Sequence, residues 1–292
     1  LGWLERTDFL LTPMDDQQRW YRVHDLVRQF LHARLEQMHG SAEIAVLHLR
    51  ASAWHAANGD LDEALRHALA AGDMVAAVQI VAEHRYDLLN RSDWQSANRW
   101  LGMFPREVID AQPDLLQIDI WKKFIQNQPA EVPALFERVD ALLPALPPER
   151  AKRLQGEVDA RRAGLFYFGG DFARSITTAQ QALEKLPLSD RYLRWFARGY
   201  LSISYLAIGD LTQAYATFYQ NGEPVQGDSQ IVHAVMACFM HWLAADLTGM
   251  AQVARHAVDN SALSDGTETA TWSRYHLGLY HYQRNDLAAA EK

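Results

Sequence analysis

A single cysteine in 292 residues excludes an intramolecular disulfide and points to a reducing compartment, the cytoplasm. That residue, Cys238, stands in the apolar stretch Val235-Met236-Ala237-Cys238-Phe239, where a thiol reads as a small buried hydrophobe. Long apolar runs are missing too: none approaches the roughly 18 residues of a membrane span, and no secretory signal is present. Positive charge is in deficit, with 28 Lys and Arg against 36 Asp and Glu and a net charge of −8. Surfaces that grip phosphate backbones show the opposite balance. The densest basic stretch, Arg150, Lys152, Arg153, Arg161 and Arg162, is interrupted by Glu149, Glu157 and Asp159, so no direct nucleic-acid contact is expected. No Gly-x-x-x-x-Gly-Lys-Ser/Thr stretch occurs, so these residues hold no ATP by themselves. The 12 histidines form no i, i+4 pair and no His-Glu-x-x-His, which argues against a metal site. No Gly-x-Ser-x-Gly elbow occurs either, and no catalytic residue is assigned. The 10 prolines and 16 glycines cluster between helical stretches, and an apolar content of 49% suffices for a packed core.

What is present is a repeat. Short turns recur at Asn58-Gly59-Asp60, Ala71-Gly72-Asp73, Gly169-Gly170-Asp171, Ile208-Gly209-Asp210, Thr248-Gly249-Met250 and Arg284-Asn285-Asp286. The last four are separated by 39, 40 and 36 residues, the length of a helix-turn-helix unit with its connecting loop. Five positions after each turn residue stands Ala64, Ala77, Ser175, Ala214, Ala254 or Ala290, and four further on Ala68, Val81, Ala179, Phe218 or Val258. Seven before it stand Ala163, Ser202 and Gly278, while Trp242 breaks the pattern. Helices of a hairpin approach closely only where the crossing point carries little side chain. These units resemble the tetratricopeptide repeat, closely over about 152–292 and more loosely before, as at Ser92-Asp93-Trp94 and the glycine-free turn Gln128-Pro129.

The first forty residues have another pattern. Two short strands, about 8–13 and 19–23, flank a polar Asp-Asp-Gln turn, and Leu26, Val27, Phe30, Leu31 and Leu35 give the next helix an apolar face. Phe9-Leu10-Leu11-Thr12-Pro13-Met14-Asp15-Asp16 with Arg19-Trp20-Tyr21-Arg22-Val23-His24-Asp25-Leu26 resembles the winged-helix end of the MalT-type, LuxR-family ATP-dependent activators. The stretches Leu49 to Gly59 and Asp62 to Asp73 resemble the next segment of those activators, so the likeness covers about 4–110. It implies an all-α chain: a right-handed tetratricopeptide-like superhelix preceded by the end of a winged helix with a short β-hairpin. The expected divisions are 1–40 for the winged-helix end, 41–110 for irregular helical hairpins and 111–292 for the repeats. The chain begins at Leu1 and stops within an apparent helix, reading as a piece of a longer protein.

The same resemblance implies function. Such activators couple an ATPase, a winged helix, a sensing repeat region and a DNA-binding helix-turn-helix. Val23-His24-Asp25 is similar to the Met-His-Asp motif of related switch ATPases, with Val for Met, so His24 is expected to touch the phosphate of ADP in the parent protein. The repeats are then the effector-sensing and self-associating region. Projection of the repeats places Tyr167, Phe196, Phe239, Asp246, Trp272, Tyr275 and Tyr282 on or near the concave face, where aromatic planes suit a sugar or an aromatic metabolite. Two other readings stay open: a scaffold for a peptide or protein partner, and a signalling ATPase whose output is not DNA binding.

Overall fold

The computed structural model describes residues 11–13, 21–91, 93–126, 128–219, 229–261 and 267–291. Two compact units make up the chain, Leu1–Ile80 and Val81–Lys292. The point of division falls inside one helix, between the boundaries expected at 40 and 110.

In the first unit, strands β1 (Leu11–Pro13) and β2 (Tyr21–Val23) pair antiparallel, with Leu11 opposite Val23 and Pro13 opposite Tyr21. The polar turn of the hairpin and the first residues of both expected strands, 8–10 and 19–20, lie outside the described residues. Helix α1 (Asp25–Met38) starts at once, because the His24 imidazole Nδ1 accepts the Leu26 N–H at 3.3 Å and caps its first turn. α2 (Ser41–Ala57) and α3 (Leu61–Ala70) form a hairpin through Gly59. α4 (Met74–Asn90) comes next and runs across the division.

The second unit continues with α5 (Trp94–Leu101), α6 (Arg106–Ala111), α7 (Pro113–Ile125), α8 (Val132–Leu142) and α9 (Pro148–Phe168). After these come α10 (Phe172–Lys185), α11 (Arg191–Ala207), α12 (Leu211–Phe218), α13 (Ser229–Leu243), α14 (Leu247–Ser261), α15 (Thr267–Gln283) and α16 (Leu287–Ala290). This is an all-α helical-repeat region. None of the described helices is long and apolar enough to cross a membrane.

One turn design recurs. A residue in the left-handed region closes the first helix: Gly59, Gly72, Gly170 and Gly209 at φ +74° to +85°, and Ala245 and Asn285 at +58°. The next residue is an aspartate each time, whose N–H returns to a carbonyl five residues back, as from Asp171 to Phe166 at 2.9 Å and from Asp246 to His241 at 2.8 Å. Its carboxylate then caps the second helix, Asp73 on the Ala76 N–H at 2.9 Å and Asp210 on the Gln213 N–H at 2.9 Å. The aspartate thus ends one helix and begins the next.

This geometry corrects one turn. The expected turn at Gly249 lies inside α14, and the left-handed residue there is Ala245, so the spacings become 39, 36 and 40. Cys238 rather than Trp242 now stands seven before the turn, and Met250 rather than Ala254 five after it. The apparent break disappears, because these two positions meet across three of the hairpins. Ser52 Oγ donates to the Ala64 carbonyl at 2.7 Å, Ser175 Oγ to Ala163 at 2.8 Å, and Cys238 Sγ to Met250 at 3.7 Å. All six are buried, which explains why the sequence keeps them small or flexible.

Candidate functional site

Charge is buried within the second unit. Arg85 of α4 is 1% exposed and Glu157 of α9 fully buried. Arg85 donates through Nε to Asp114 at 2.8 Å and through both Nη atoms to Glu157 at 2.7 Å. Tyr86 Oη adds a hydrogen bond to Glu157 at 2.6 Å, and the Arg153 guanidinium lies 3.2 Å from the Tyr86 ring centroid. Burial opposes the charge on Arg85, but Glu157, Tyr86 and Asp114 outweigh it and hold the guanidinium well above its ordinary value. Burial likewise pushes the Asp114 carboxyl up, and Arg85 and Arg150 outweigh it, leaving that carboxyl below the usual range.

The basic stretch noted in the sequence is absorbed here. Arg150 pairs with Asp114, Arg153 with Asp190, and Arg162 with Asp140 at 2.6 Å. These pairs tie α9 to its neighbours rather than presenting a phosphate-binding surface.

Arg161 has a different setting. It is 2% exposed on α9, and its Nη1 donates to Gln117 Oε1 at 3.1 Å and to the Glu157 carbonyl at 3.4 Å. The Glu157 carboxylate is 4.0 Å away and already fully engaged by Arg85 and Tyr86. Its Nη2 is buried with no hydrogen-bond partner, and burial holds the guanidinium below its ordinary value.

Arg161 lines a pocket of about 450 Å³ whose other walls come from α7, α9 and α11, with Pro129 from the turn before α8. Trp121 and Phe124 of α7, Phe168 of α9, and Tyr192, Phe196 and Tyr200 of α11 supply six rings. Phe196 sits 4.9 Å from Tyr200, 5.9 Å from Phe124 and 6.3 Å from Tyr192, the last nearly parallel. Trp121 Nε1 donates to Tyr192 Oη at 3.2 Å, and the Tyr192 N–H is held by Asn90 Oδ1 at 3.1 Å. Gly164 permits this arrangement, since a Cβ there would stand 3.0 Å from the Tyr200 ring. Volume, aromatic walls and a few polar groups are the properties of a small-molecule site.

Among the residues expected from sequence, Phe196 lines this pocket. Tyr167 lies behind it, 5.9 Å from Tyr200, packed with Phe239 against the core formed by Ala163, Ala179, Tyr200, Leu201 and Phe218. Asp246 caps α14 through the Gly249 N–H at 2.9 Å and faces His241 Nδ1 at 2.9 Å, contacts that hold its carboxyl below the usual value. Trp272, Tyr275 and Tyr282 of α15 are 49%, 55% and 63% exposed, away from the pocket's lining. The seven residues therefore do not gather at one place. The pocket's other lining residues Trp121, Phe124, Tyr192, Tyr200 and Arg161 are not among those expected from sequence, although Tyr192, Phe196 and Tyr200 recur at helical spacing on α11. His24 is an exposed cap whose Nδ1 accepts the Leu26 N–H. Among the described residues no three His, Cys, Asp or Glu side chains gather to hold a metal.

The fold and pocket define a class: a helical-repeat region following the end of a winged helix. Residues 1–43 match the family described as the MalT winged helix domain. The chain is 32% identical over 217 residues to the HTH-type transcriptional regulator MalT of Cronobacter sakazakii, covering 74% of this chain and 24% of that protein. Over 234 residues it is 29% identical to MalT of Serratia proteamaculans, covering 80% and 26%. It is also 34% identical over 161 residues to the serine/threonine-protein kinase PknK of Mycobacterium tuberculosis, covering 54% and 14%. No solved structure matches. The chain spans about a quarter of the length of these MalT relatives. Together the matches support a MalT-type transcriptional regulator segment, the end of the winged helix with the helical repeats after it.

Proposed function

We propose that this chain is the effector-sensing region of a MalT-type regulator and that a small molecule binds in the aromatic pocket between α7, α9 and α11. The observation that carries the reading is the pocket itself: six rings around about 450 Å³, with a buried arginine in its lining. The effector would bias the parent protein between a closed ADP-bound state and an open, self-associating ATP-bound state, through its differential affinity for the two. In the parent protein His24, the cap of α1, would be the contact to the ADP phosphate that the resemblance implies. Nucleotide and DNA binding belong in this proposal to other parts of the parent.

The test is a thermal-shift screen of the chain against sugars, oligosaccharides, aromatic metabolites and acidic peptides. A ligand at a hundredfold excess over its Kd stabilises the state it binds by about 2.7 kcal/mol. The expected result is a small-molecule hit whose shift disappears in Phe196→Ala. Stabilisation by peptides alone would refute the effector reading in favour of a protein-binding scaffold.

A further inference from the structure

The pocket also constrains what fills it, and this inference rests on the effector-binding reading above. Around α9 the buried arginines are Arg85 and Arg161, and the buried acids beside them are Asp114 and Glu157, while buried Asp159 and Asp190 are held by Lys185 and Arg153. Arg85 is fully committed: its Nε donates to Asp114 and its two Nη atoms to Glu157, each at 2.7 to 2.8 Å. Glu157 has its oxygens filled by Arg85 and the Tyr86 hydroxyl, and Asp114 is shared between Arg85 and Arg150. Arg161 is left with a carboxylate 4.0 Å away, one amide oxygen, one backbone carbonyl, and an Nη2 that meets no acceptor. A buried guanidinium nitrogen without an acceptor is costly; Nη2 has no surface open to the pocket, so the cost is removed when the guanidinium turns toward an acceptor brought in with a ligand.

The other walls say what surrounds that acceptor. Tyr192 and Phe196 lie nearly parallel, Tyr200 and Phe124 stand at an angle to Phe196, and Trp121 has its N–H turned to Tyr192 rather than to the cavity. Such walls take a flat apolar body. They offer few donors for the many hydroxyls of an oligosaccharide, each of which would have to be desolvated. One unsatisfied guanidinium nitrogen suits one oxygen of a monoanion. A phosphate monoester brings close to two negative charges and would leave one of them unmatched among the rings.

We propose that the effector is a planar, one- or two-ring carboxylic acid, its ring system against Phe196, Tyr192 and Tyr200 and its carboxylate drawing the Arg161 guanidinium round to meet it. The acid is bound by a hydrogen bond to a charged donor, and the rings set the shape it must have.

The experiment is calorimetric titration of the 292-residue chain with three acids, phenylacetate, indole-3-acetate and 2-naphthoate, and with the three matching amides. Phenyl phosphate and maltotriose serve as the dianionic and neutral polyhydroxyl probes. At least one acid should bind about tenfold or more tightly than its amide, the ratio expected of a hydrogen bond to a charged donor. Arg161→Gln should abolish that preference and keep the amide affinity, and Phe196→Ala should weaken acid and amide together. Arg161→Lys, which keeps the charge, should retain part of the preference and serves if the glutamine variant fails to fold by circular dichroism. Equal binding of acids and amides, or binding of maltotriose or phenyl phosphate in place of the acids, overturns the carboxylate assignment and leaves the effector site standing. An acid preference that survives in Arg161→Gln overturns the role of Arg161. Silence of every probe overturns this proposal, while a thermal-shift hit outside these classes would still uphold the sensing function.

Discussion

Replacing Arg85 by Met removes the positive centre of the buried network while keeping most of the side-chain volume. Three hydrogen bonds to carboxylates and one to the Tyr86 hydroxyl disappear. Breaking a buried ion pair by deleting one partner costs about 3–5 kcal/mol, because the remaining charge stays buried. Here the residual partners soften the loss: Asp114 keeps Arg150, and Glu157 keeps Tyr86 and a distant Arg161. The lower end, about 3 kcal/mol, is therefore expected. With a urea slope of about 2–3 kcal/mol per molar, the unfolding midpoint should fall by about 1 M or more. Charge arithmetic supplies a sharper check. Arg85→Met leaves the buried set one charge more negative, Glu157→Gln leaves it one charge more positive, and the double variant restores balance. The two substitutions should then couple by about 2 kcal/mol, far outside the roughly 0.5 kcal/mol scatter of independent sites. Urea unfolding followed by tryptophan fluorescence and by circular dichroism measures this, provided the two probes give one transition. Additive effects, or a loss under about 1 kcal/mol in Arg85→Met, would refute the claim that this network organises the second unit.

Ala245 holds a left-handed conformation that costs an L-residue about 1–2 kcal/mol, so Ala245→Gly should stabilise by about 0.5–1 kcal/mol and Gly209→Ala should do the reverse. No gain in Ala245→Gly by urea titration would return the turn to Gly249. The Cys238 thiol is fully buried and burial pushes its pKa up to about 12, so a disulfide reagent at pH 8 should label the folded chain at least about a hundredfold more slowly than the urea-unfolded one. Fast labelling of the folded chain contradicts the packing of α13 on α14. The folded pKa of Asp114 is depressed, so its stabilisation is complete above the unfolded carboxylate value of about 3.9 and is lost as pH falls through the lower folded value. Thermal midpoints should hold from about pH 7 to 5 and fall below about pH 4, and Asp114→Asn should flatten that acid limb while lowering stability at neutral pH. An unchanged acid limb in Asp114→Asn would place the acid sensitivity elsewhere.

The repeat was legible in the sequence because its signals are local. Gly59, Gly72, Gly170 and Gly209 are needed where φ turns positive, and the aspartate after each both closes and caps a helix within a few residues. The winged-helix end was legible for the same reason, as a contiguous run leading to His24 and α1. Local signals failed at Ala245. There the left-handed cost falls on a non-glycine residue, held by the Asp246 return to His241 and its cap to Gly249, and the nearby Gly249 offered a false turn. The left-handed Ala245, the Asp246 return and the contact of Cys238 with the Met250 carbonyl together fix the true register.

The pocket lay beyond such reading, since its walls come from three helices up to about eighty residues apart in sequence. Phe196 was visible as one aromatic among many. That Trp121, Phe124, Arg161 and Tyr200 meet it depends on how α7, α9 and α11 pack, including the bare Cα of Gly164 against the Tyr200 ring. Arg161 shows the difference most plainly. In sequence it belongs to a basic stretch that any solvated helix face could carry. In the fold its neighbours Arg150, Arg153 and Arg162 find partners around the rim, while it alone is drawn inward beside a glutamate already saturated by Arg85. Sequence determined the helices and their turns because hydrogen bonding within a few residues decides those; which charge goes unmatched is settled only when distant helices exclude water together.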